Sequence, residues 1–245
     1  MKKCLVILFG ECFRNGGQDS RARGHPASYD MQIDACESHI KYFLVLKTKH
    51  NIDTDVIIDS YSTQYDDELK MLYRDYLITA KFHSDVIGFN ALYFDTHNHI
   101  TNIDEYEFIH YIRIDMLIKD YFINIFQTKN KITYSFVCWI GCHKCSLNNN
   151  CPRVADMMVY IPYEYYDIFN RKVLLLDHES YGHLVANGLS KEDIGFFALT
   201  YHDSDSAKDW NPLYTIVNRP IAEKWHSTAY RLDEDTHEPI HILDK

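Results

Sequence analysis

An acidic residue follows one of the most apolar stretches of the chain. Residues 108–114 are mostly β-branched and aromatic, which is typical of a strand buried on both faces of a mostly parallel sheet. Asp115 comes directly after that stretch, with Arg113 two positions earlier. Because ligands bind outside the carboxyl ends of strands in open α/β sheets, we expect Asp115 to face a metal–diphosphate pair and Arg113 to help hold that end of the sheet. The alternative is that Asp115 caps a helix over residues 116–122.

A loop rich in glycine and arginine follows the first apolar run, residues 4–9. Its glycines let backbone N–H groups approach a ligand, and its arginines offer forked donors that match phosphate oxygens. These residues are Gly10, Gly16, Gly17, Gly24, Arg14, Arg21 and Arg23. The whole chain carries a formal net charge of -10, so this local excess of positive charge indicates phosphate contact, with a solvated surface loop as the alternative. The loop matches neither of the two standard glycine-rich nucleotide motifs.

Asp59 and Tyr61 come at the end of the second apolar run. At that position they would contact a nucleobase or a ribose, or else form a plain turn.

A cysteine cluster provides a third candidate site. Cys142 and Cys145 have the spacing at which two thiolates chelate one zinc ion. Cys138 and Cys151 do not complete a second such pair, so free thiols in a hairpin loop are the competing interpretation.

Strands and helices are predicted to alternate along the chain. The predicted strands are residues 4–9, 55–59, 76–82, 108–112, 131–139 and 156–161, and the predicted helices are residues 26–44, 66–76, 85–96, 117–126, 177–187 and one that begins at Ser190. Residues 203–212 are predicted to form a loop and residues 220–245 a C-terminal cover. This order indicates an α/β fold, a single domain over residues 1–245 with a mostly parallel central sheet flanked by helices.

Composition narrows the classes of function. The 245 residues are 46% hydrophobic, which suits one large domain with a sizeable core. The acidic balance disfavours nucleic-acid binding. No apolar stretch approaches the roughly 20 residues that span a bilayer, so we expect a soluble, cytoplasmic protein without a transmembrane segment. Seven cysteines, an odd number, argue against a fully paired disulfide framework.

Several short motifs together resemble the GT-A group of nucleotide-sugar glycosyltransferases. They are Phe-Gly-Glu-Cys-Phe-Arg at residues 9–14, Arg-Ile-Asp at 113–115, Pro-Arg-Val-Ala-Asp-Met at 152–157 and Tyr-His-Asp-Ser-Asp-Ser at 201–206. The chain is most similar to the small members of this group found in large DNA viruses and some bacteria.

The resemblance implies a GT-A-like (Rossmann-like) fold whose residues 1–125 bind the nucleotide-sugar and whose residues 126–245 carry the acceptor side. The implied nucleotide-sugar-binding residues are Gly10, Arg14, Arg21, Arg23, Asp59, Tyr61 and Arg113. It also implies Mn²⁺ or Mg²⁺ on the diphosphate, held by an Asp-x-Asp motif and a late histidine. Asp115 matches the last carboxylate, and His202 matches the histidine better than His226 does, but Arg113 replaces the first aspartate, which leaves metal dependence open.

The implied catalytic residues are acids of the second half of the chain. Asp193, in a Glu-Asp pair, matches the base that the family places at a helix start, with helix capping as the alternative role, and Asp156 is a second candidate on the acceptor side.

The expected activity is transfer of a sugar from a nucleotide diphosphate-sugar to a hydroxyl of a glycan or glycoprotein, in the host cytoplasm if the protein is viral. Two other functions are compatible with the residues. One is a non-enzymatic binding module stiffened by zinc at Cys142 and Cys145. The other is a metal-dependent hydrolase of a phosphorylated small molecule that uses Asp115 and His202.

Overall fold

The computed structural model describes residues 2–15, 22–85, 100, 102–135, 154, 158–168, 180–197, 200–201, 213–216, 230–232 and 239–241. The strands are β1 (Lys2–Gly10), β2 (Ile52–Tyr61), β3 (Leu77–His83), β4 (Phe108–Arg113), β5 (Met116–Ile118), β6 (Ile132–Tyr134), β7 (Met158–Pro162), β8 (Ile194–Phe196), β9 (Thr200–Tyr201), β10 (Tyr214–Ile216), β11 (Tyr230–Leu232) and β12 (Pro239–His241). The helices are α1 (Tyr29–His50), α2 (Asp66–Tyr73), α3 (Asp120–Ile125) and α4 (Ser180–Ala186).

A seven-stranded sheet in the order β3-β2-β1-β4-β7-β6-β8 forms the centre of the fold. Strands β3, β2, β1 and β4 are parallel, and β7 is antiparallel to both β4 and β6. Strand β6 therefore runs in the same direction as β4, and so does β8, which is parallel to β6. This mostly parallel, helix-flanked sheet confirms the predicted α/β fold class.

The order of the strands reverses on either side of β1. The chain passes from β1 through α1 to β2 on one side, and β4 later pairs with the other side of β1. In open α/β sheets such a reversal opens a crevice at the carboxyl ends of the two strands that flank it, and ligands bind there. By this rule we expect the crevice of this sheet to lie beyond Gly10 and Arg113.

Side chains alternate between the two faces of the sheet, and each face has its own core. Val6 and Leu8 pack with Tyr42 of α1 on one face. Ile7 and Phe9 lie on the opposite face, in a cluster that also contains Tyr111, Val159 and Leu184.

Helix α1 continues past the predicted end near residue 44. It ends at His50 and is capped by Asn51, whose left-handed φ of 56° lets its N–H donate to the carbonyls of Leu46 and Lys47. Basic residues fill the last turn, where they interact favourably with the helix dipole.

The segment after Asp115 is a strand, where the sequence predicted a helix. Met116 and Ile118 are buried on β5, which pairs antiparallel with β10, and helix α3 begins only at Asp120. The backbone of β5 is also bonded to α1, since His39 Nε2 lies 2.6 Å from the Met116 carbonyl oxygen. The interpretation of Asp115 as a helix cap is therefore wrong.

The helix predicted after Ser190 is a single 3-10 turn, Lys191–Asp193. Ser190 does cap that turn, because its Oγ accepts a hydrogen bond from the N–H of Glu192 at 3.2 Å. The chain then enters β8, whose parallel pairing with β6 prevents the turn from growing into a helix.

Among the residues that the structure describes, no helix has the length and apolar character required to cross a bilayer. The predicted helix over residues 85–96 and the predicted loop over residues 203–212 lie almost wholly outside the described residues.

Candidate functional site

Three neighbouring strands bring an acid and a guanidinium to the same edge of the sheet. Phe9 is in register with Asp59 of β2 and with Arg113 of β4. Because these three residues occupy equivalent positions in the alternation of the strands, their side chains share one face. Two strand spacings separate Asp59 from Arg113, which is roughly 10 Å between their Cα atoms.

Arg113 and Asp115 form a bidentate ion pair at the end of β4. Arg113 Nε donates to Asp115 Oδ1 at 2.8 Å, and an N–H of Arg113 Nη2 donates to Asp115 Oδ2. Asp115 is fully buried and Arg113 is 8% exposed. Such fork-to-fork pairing fixes both the position and the plane of the guanidinium.

Gln32 of α1 connects this turn to the loop after β1. Its Nε2 donates to the carbonyl of Ile114 at 2.7 Å, and its Oε1 accepts from the N–H of Phe13 at 3.0 Å. The N–H of Ile114 donates in turn to the Phe9 carbonyl at 2.8 Å. The two regions singled out in the sequence therefore meet at one edge, the crevice between β1 and β4.

Contacts of its own residues stabilise the loop after β1. Gly10 has a φ of 105°, in the left-handed region that favours glycine. Arg14 is buried, with its Nε 3.6 Å from Glu11 Oε2, and its carbonyl accepts a hydrogen bond from Ser28 Oγ at 2.7 Å. Arg14 thus contributes to the interior of the loop in this conformation.

The far end of the loop folds over the end of β2. The guanidinium of Arg23 lies 4.5 Å from the centre of the Tyr61 ring, a cation–π contact. Gly24, with a φ of 63°, passes so close that a Cβ there would lie 3.1 Å from the Cβ of Thr63. Arg23 is half-buried, so it is the arginine of the described loop that combines a defined position with access to solvent.

His83 is a residue of this edge that the sequence analysis missed. It ends β3, and its Nε2 lies 2.7 Å from Oδ1 of the buried Asp59. The pairing depends on the register of β2 with β3, in which His83 is the neighbour of Tyr61. The sequence feature that could have identified His83 is a histidine at the end of a third predicted strand.

Asp193 lies at the opposite edge of the sheet. It directly precedes β8, which runs in the direction of β4, so it lies where the parallel strands begin and Asp115 lies where they end. The hydroxyl of Tyr165 donates to Asp193 Oδ1 at 2.9 Å, and burial together with this carboxylate raises the pKa of Tyr165. The structure therefore does not bring Asp193 to the crevice, and the proposed base role finds no support in its position.

Several predicted site residues lie outside the described residues. They are Arg21, Asp156, His202, and the four cysteines Cys138, Cys142, Cys145 and Cys151. Their proposed roles in phosphate contact, catalysis, metal binding and zinc binding stay predictions.

The described residues do not fit the divalent metal that the resemblance implies. Both carboxylate oxygens of Asp115 are bonded to Arg113, and the acid that would share the ion is replaced by that arginine. Within the described ranges there is no group of three or more histidine, cysteine, aspartate or glutamate side chains that could hold a metal ion.

Two buried histidines, His39 of α1 and His110 of β4, are neutral. The Met116 carbonyl requires an N–H on Nε2 of His39, so its Nδ1 accepts from the hydroxyl of Tyr73 at 2.7 Å. Burial lowers the pKa of His39 to about 4. His110 is bonded to the hydroxyl of Tyr42 at 3.0 Å, and burial lowers its pKa to about 3. Both imidazoles are structural rather than accessible to a ligand.

An open hollow of about 840 Å³ lies at the other edge of the sheet, where the parallel strands begin. Its lining mixes both signs of charge and includes Lys2, Lys129, Glu105 and Glu107. Since Lys2 is paired with Glu107 at 2.6 Å, the hollow offers no concentrated charge for an anionic ligand. We favour the crevice between β1 and β4 because its charged groups are buried and fixed in place.

No protein-family model matches the chain, and no curated protein matches it. Solved structures do show similarity, and two of the proteins that follow are galactosyltransferases. A Drosophila β1,4-galactosyltransferase 7 mutant in complex with manganese, UDP-Gal and xylobiose aligns with 92% of this chain and 77% of that chain, at 7% identity and a TM-score of 0.45. This chain spans 65%, just under two thirds, of the catalytic domain of the same enzyme in complex with xylobiose.

The galactosyltransferase LgtC, in complex with donor and acceptor sugar analogues, aligns over 78% of this chain and 72% of that chain, at 11% identity and a TM-score of 0.43. TarS of S. aureus aligns over 89% of this chain and 60% of that chain, at 12% identity and a TM-score of 0.45. Since all of these TM-scores are below 0.5, residue roles are not transferred from these proteins.

Proposed function

We propose that the protein is a glycosyltransferase that moves a hexosyl or pentosyl group from a nucleotide diphosphate-sugar to a hydroxyl of a glycan or glycoprotein. The observation that carries this proposal is the junction at Gln32, which joins the loop after β1 to the turn that holds Arg113 and Asp115. Both regions border the crevice where α/β sheets bind their ligands.

The diphosphate is assigned to the crevice between β1 and β4. Arg113 brings a guanidinium fixed by Asp115 to that position, and Gly10 directly follows Phe9, the residue of β1 in register with Arg113. Guanidinium groups match phosphate oxygens in geometry and charge. A positive charge at the diphosphate also stabilises the nucleoside diphosphate that leaves when the sugar is transferred.

The nucleoside is assigned to the ends of β2 and β3, on the same face of the sheet. Asp59 is a buried carboxylate oriented by His83, which suits a ligand hydroxyl or an N–H of a base. Tyr61 and Arg23 already stack on one another, which suits an aromatic ring. Residues 1–125 thereby supply the whole donor site, and residues 126–245 are left to bind the acceptor.

A thermal-shift screen of UDP-, GDP- and TDP-sugars tests this proposal, because a ligand that binds only the folded protein raises its melting temperature. We expect at least one nucleotide-sugar to stabilise the wild type and to stabilise Arg23→Ala less. Lys129→Ala, in the hollow at the opposite edge, is the matched control and is expected to respond like the wild type. If no nucleotide-sugar stabilises the wild type, the proposal is refuted.

Product analysis separates transfer from hydrolysis. With a stabilising nucleotide-sugar, we expect turnover that depends on an added glycan acceptor. Release of free sugar at the same rate with and without acceptor would instead identify a hydrolase.

A further inference from the structure

We propose that Arg113, held in place by Asp115, supplies the charged N–H donors that the donor diphosphate meets, so that donor binding needs no divalent metal ion. This inference rests on the proposed function and specifies how its site recognises the diphosphate.

The carboxylate of Asp115 is already occupied by Arg113. Arg113 Nε and Nη2 bond to the two different oxygens of Asp115, and Asp115 has no exposed surface. A metal ion at Asp115 would have to displace a bidentate, charge-assisted pair in a buried place. Separating such a pair leaves an uncompensated buried charge and is strongly unfavourable.

The local charge at Asp115 also disfavours a divalent ion. One carboxylate and one guanidinium sum to zero, whereas Mn²⁺ and Mg²⁺ sites rely on anionic oxygens gathered around the ion. The guanidinium would also repel a cation brought to Asp115.

Hydrogen bonds hold the turn between Arg113 and Met116 in place. The N–H and the carbonyl of Ile114 are bonded to Phe9 and Gln32, and the carbonyl of Met116 is bonded to His39. Three buried hydrogen bonds would have to break before backbone movement could turn Asp115 towards the crevice. Asp115 is therefore a positioning residue, and Arg113 is the group placed to meet the ligand.

The test measures donor affinity by calorimetry in excess EDTA and in millimolar Mn²⁺. We expect the dissociation constant of a stabilising nucleotide-sugar to differ by less than about twofold between the two, because charge-assisted bonds from Arg113 replace the metal. A loss of tenfold or more in EDTA would overturn the inference. So would Mn²⁺ binding to the protein alone that disappears in Asp115→Asn.

Variants at position 113 test the role of the guanidinium. Arg113→Gln is expected to weaken donor binding about tenfold to a hundredfold in EDTA, the effect of losing hydrogen bonds to a charged group. Since Arg113→Gln leaves a buried carboxylate unpaired, the double variant Arg113→Gln/Asp115→Asn serves as the folded comparison and is expected to lose the same affinity. Lys41→Gln, on the surface of α1, is the control. Unchanged affinity in the double variant would contradict the inference.

Inorganic pyrophosphate separates this inference from the proposed function. If pyrophosphate binds in EDTA, loses affinity in the double variant, and no nucleotide-sugar binds, the proposed function fails and the role of Arg113 stands. If nucleotide-sugars bind only with Mn²⁺, the proposed function stands and the role of Arg113 fails.

Discussion

Gln32 and Ile114 are joined by a hydrogen bond of 2.7 Å, from the side-chain amide of α1 to the carbonyl that lies between Arg113 and Asp115. The same amide accepts from the N–H of Phe13, so one side chain fixes the distance between the loop after β1 and the turn after β4. Gln32 is fully buried, and both of its backbone partners are buried with it. The geometry of the crevice therefore depends on Gln32, which belongs neither to the loop after β1 nor to the turn after β4.

Replacing Gln32 with methionine is expected to destabilise the fold by about 2–6 kcal/mol, because it leaves a buried N–H and a buried carbonyl unpaired at about 1–3 kcal/mol each. Urea unfolding measures this change. Lys49→Ala, which removes an exposed contact with Asn124 and one positive charge in the last turn of α1, is the control and is expected to cost less than about 1 kcal/mol. A loss below about 1 kcal/mol in Gln32→Met would show that the link is not needed.

The ion pair of Arg113 and Asp115 is expected to show strong coupling in stability. Each single variant, Arg113→Gln or Asp115→Asn, should lose about 3–5 kcal/mol, because it leaves its partner charged and buried. The double variant should lose less than the sum of the two, and the difference is the interaction energy. Additive losses would mean that the two side chains do not interact in solution.

The same cycle on an exposed pair provides the comparison. Lys41 and Asp120 lie 2.7 Å apart, but more than half of each side chain is exposed. Their coupling is expected to stay below about 1 kcal/mol.

Arg23→Ala is expected to weaken nucleotide-sugar binding about tenfold while lowering stability by no more than about 2 kcal/mol, because its cation–π contact is with the buried ring of Tyr61. Calorimetry measures the first effect and urea unfolding the second. Tyr61→Phe keeps the ring under Arg23 and is expected to retain most of the affinity. Equal losses of affinity in Arg23→Ala and in the distant Lys129→Ala would remove Arg23 from the site.

The sequence predicted the parts of this edge that depend on local pattern. The apolar run that ends at Arg113 and the glycine–arginine loop after β1 are both where the pattern placed them. Strand β5 was missed because three residues do not distinguish a strand from the start of a helix, and its partner β10 lies far along the chain.

Positions that depend on strand pairing could not be predicted from the sequence. The partnership of Asp59 with His83 depends on the register of β2 with β3, and the place of Asp193 depends on the direction of β8. The sequence showed Arg113 and Asp115 two residues apart but not their pairing, because that requires Asp115 to turn back along the end of β4.

The two buried histidines are expected to make the protein sensitive to acid. His39 and His110 have folded pKa values of about 4 and about 3, below the ordinary value of 6.5. Below pH 6.5 the unfolded chain therefore binds more protons than the folded one, so stability is fully present above pH 6.5 and is lost as the pH falls towards 4. Each histidine contributes up to about 1.4 kcal/mol per pH unit to this slope.

Removing one of these histidines is expected to reduce the slope. In Tyr42→Phe/His110→Phe the hydroxyl and the imidazole that bond to each other are both replaced by apolar rings, so no partner is left unpaired. Urea unfolding at pH 7, 6 and 5 should show a smaller fall in stability than in the wild type. An unchanged fall would mean that His110 is protonated in the folded protein or exposed to solvent.

Hydrogen exchange with and without a stabilising nucleotide-sugar tests the location of the donor site most directly. We predict that added ligand slows exchange at the backbone amides of residues 10–14 and 113–115, which border the crevice between β1 and β4. Protection confined to residues 104–107 and 128–130, in the hollow at the opposite edge of the sheet, would contradict that location.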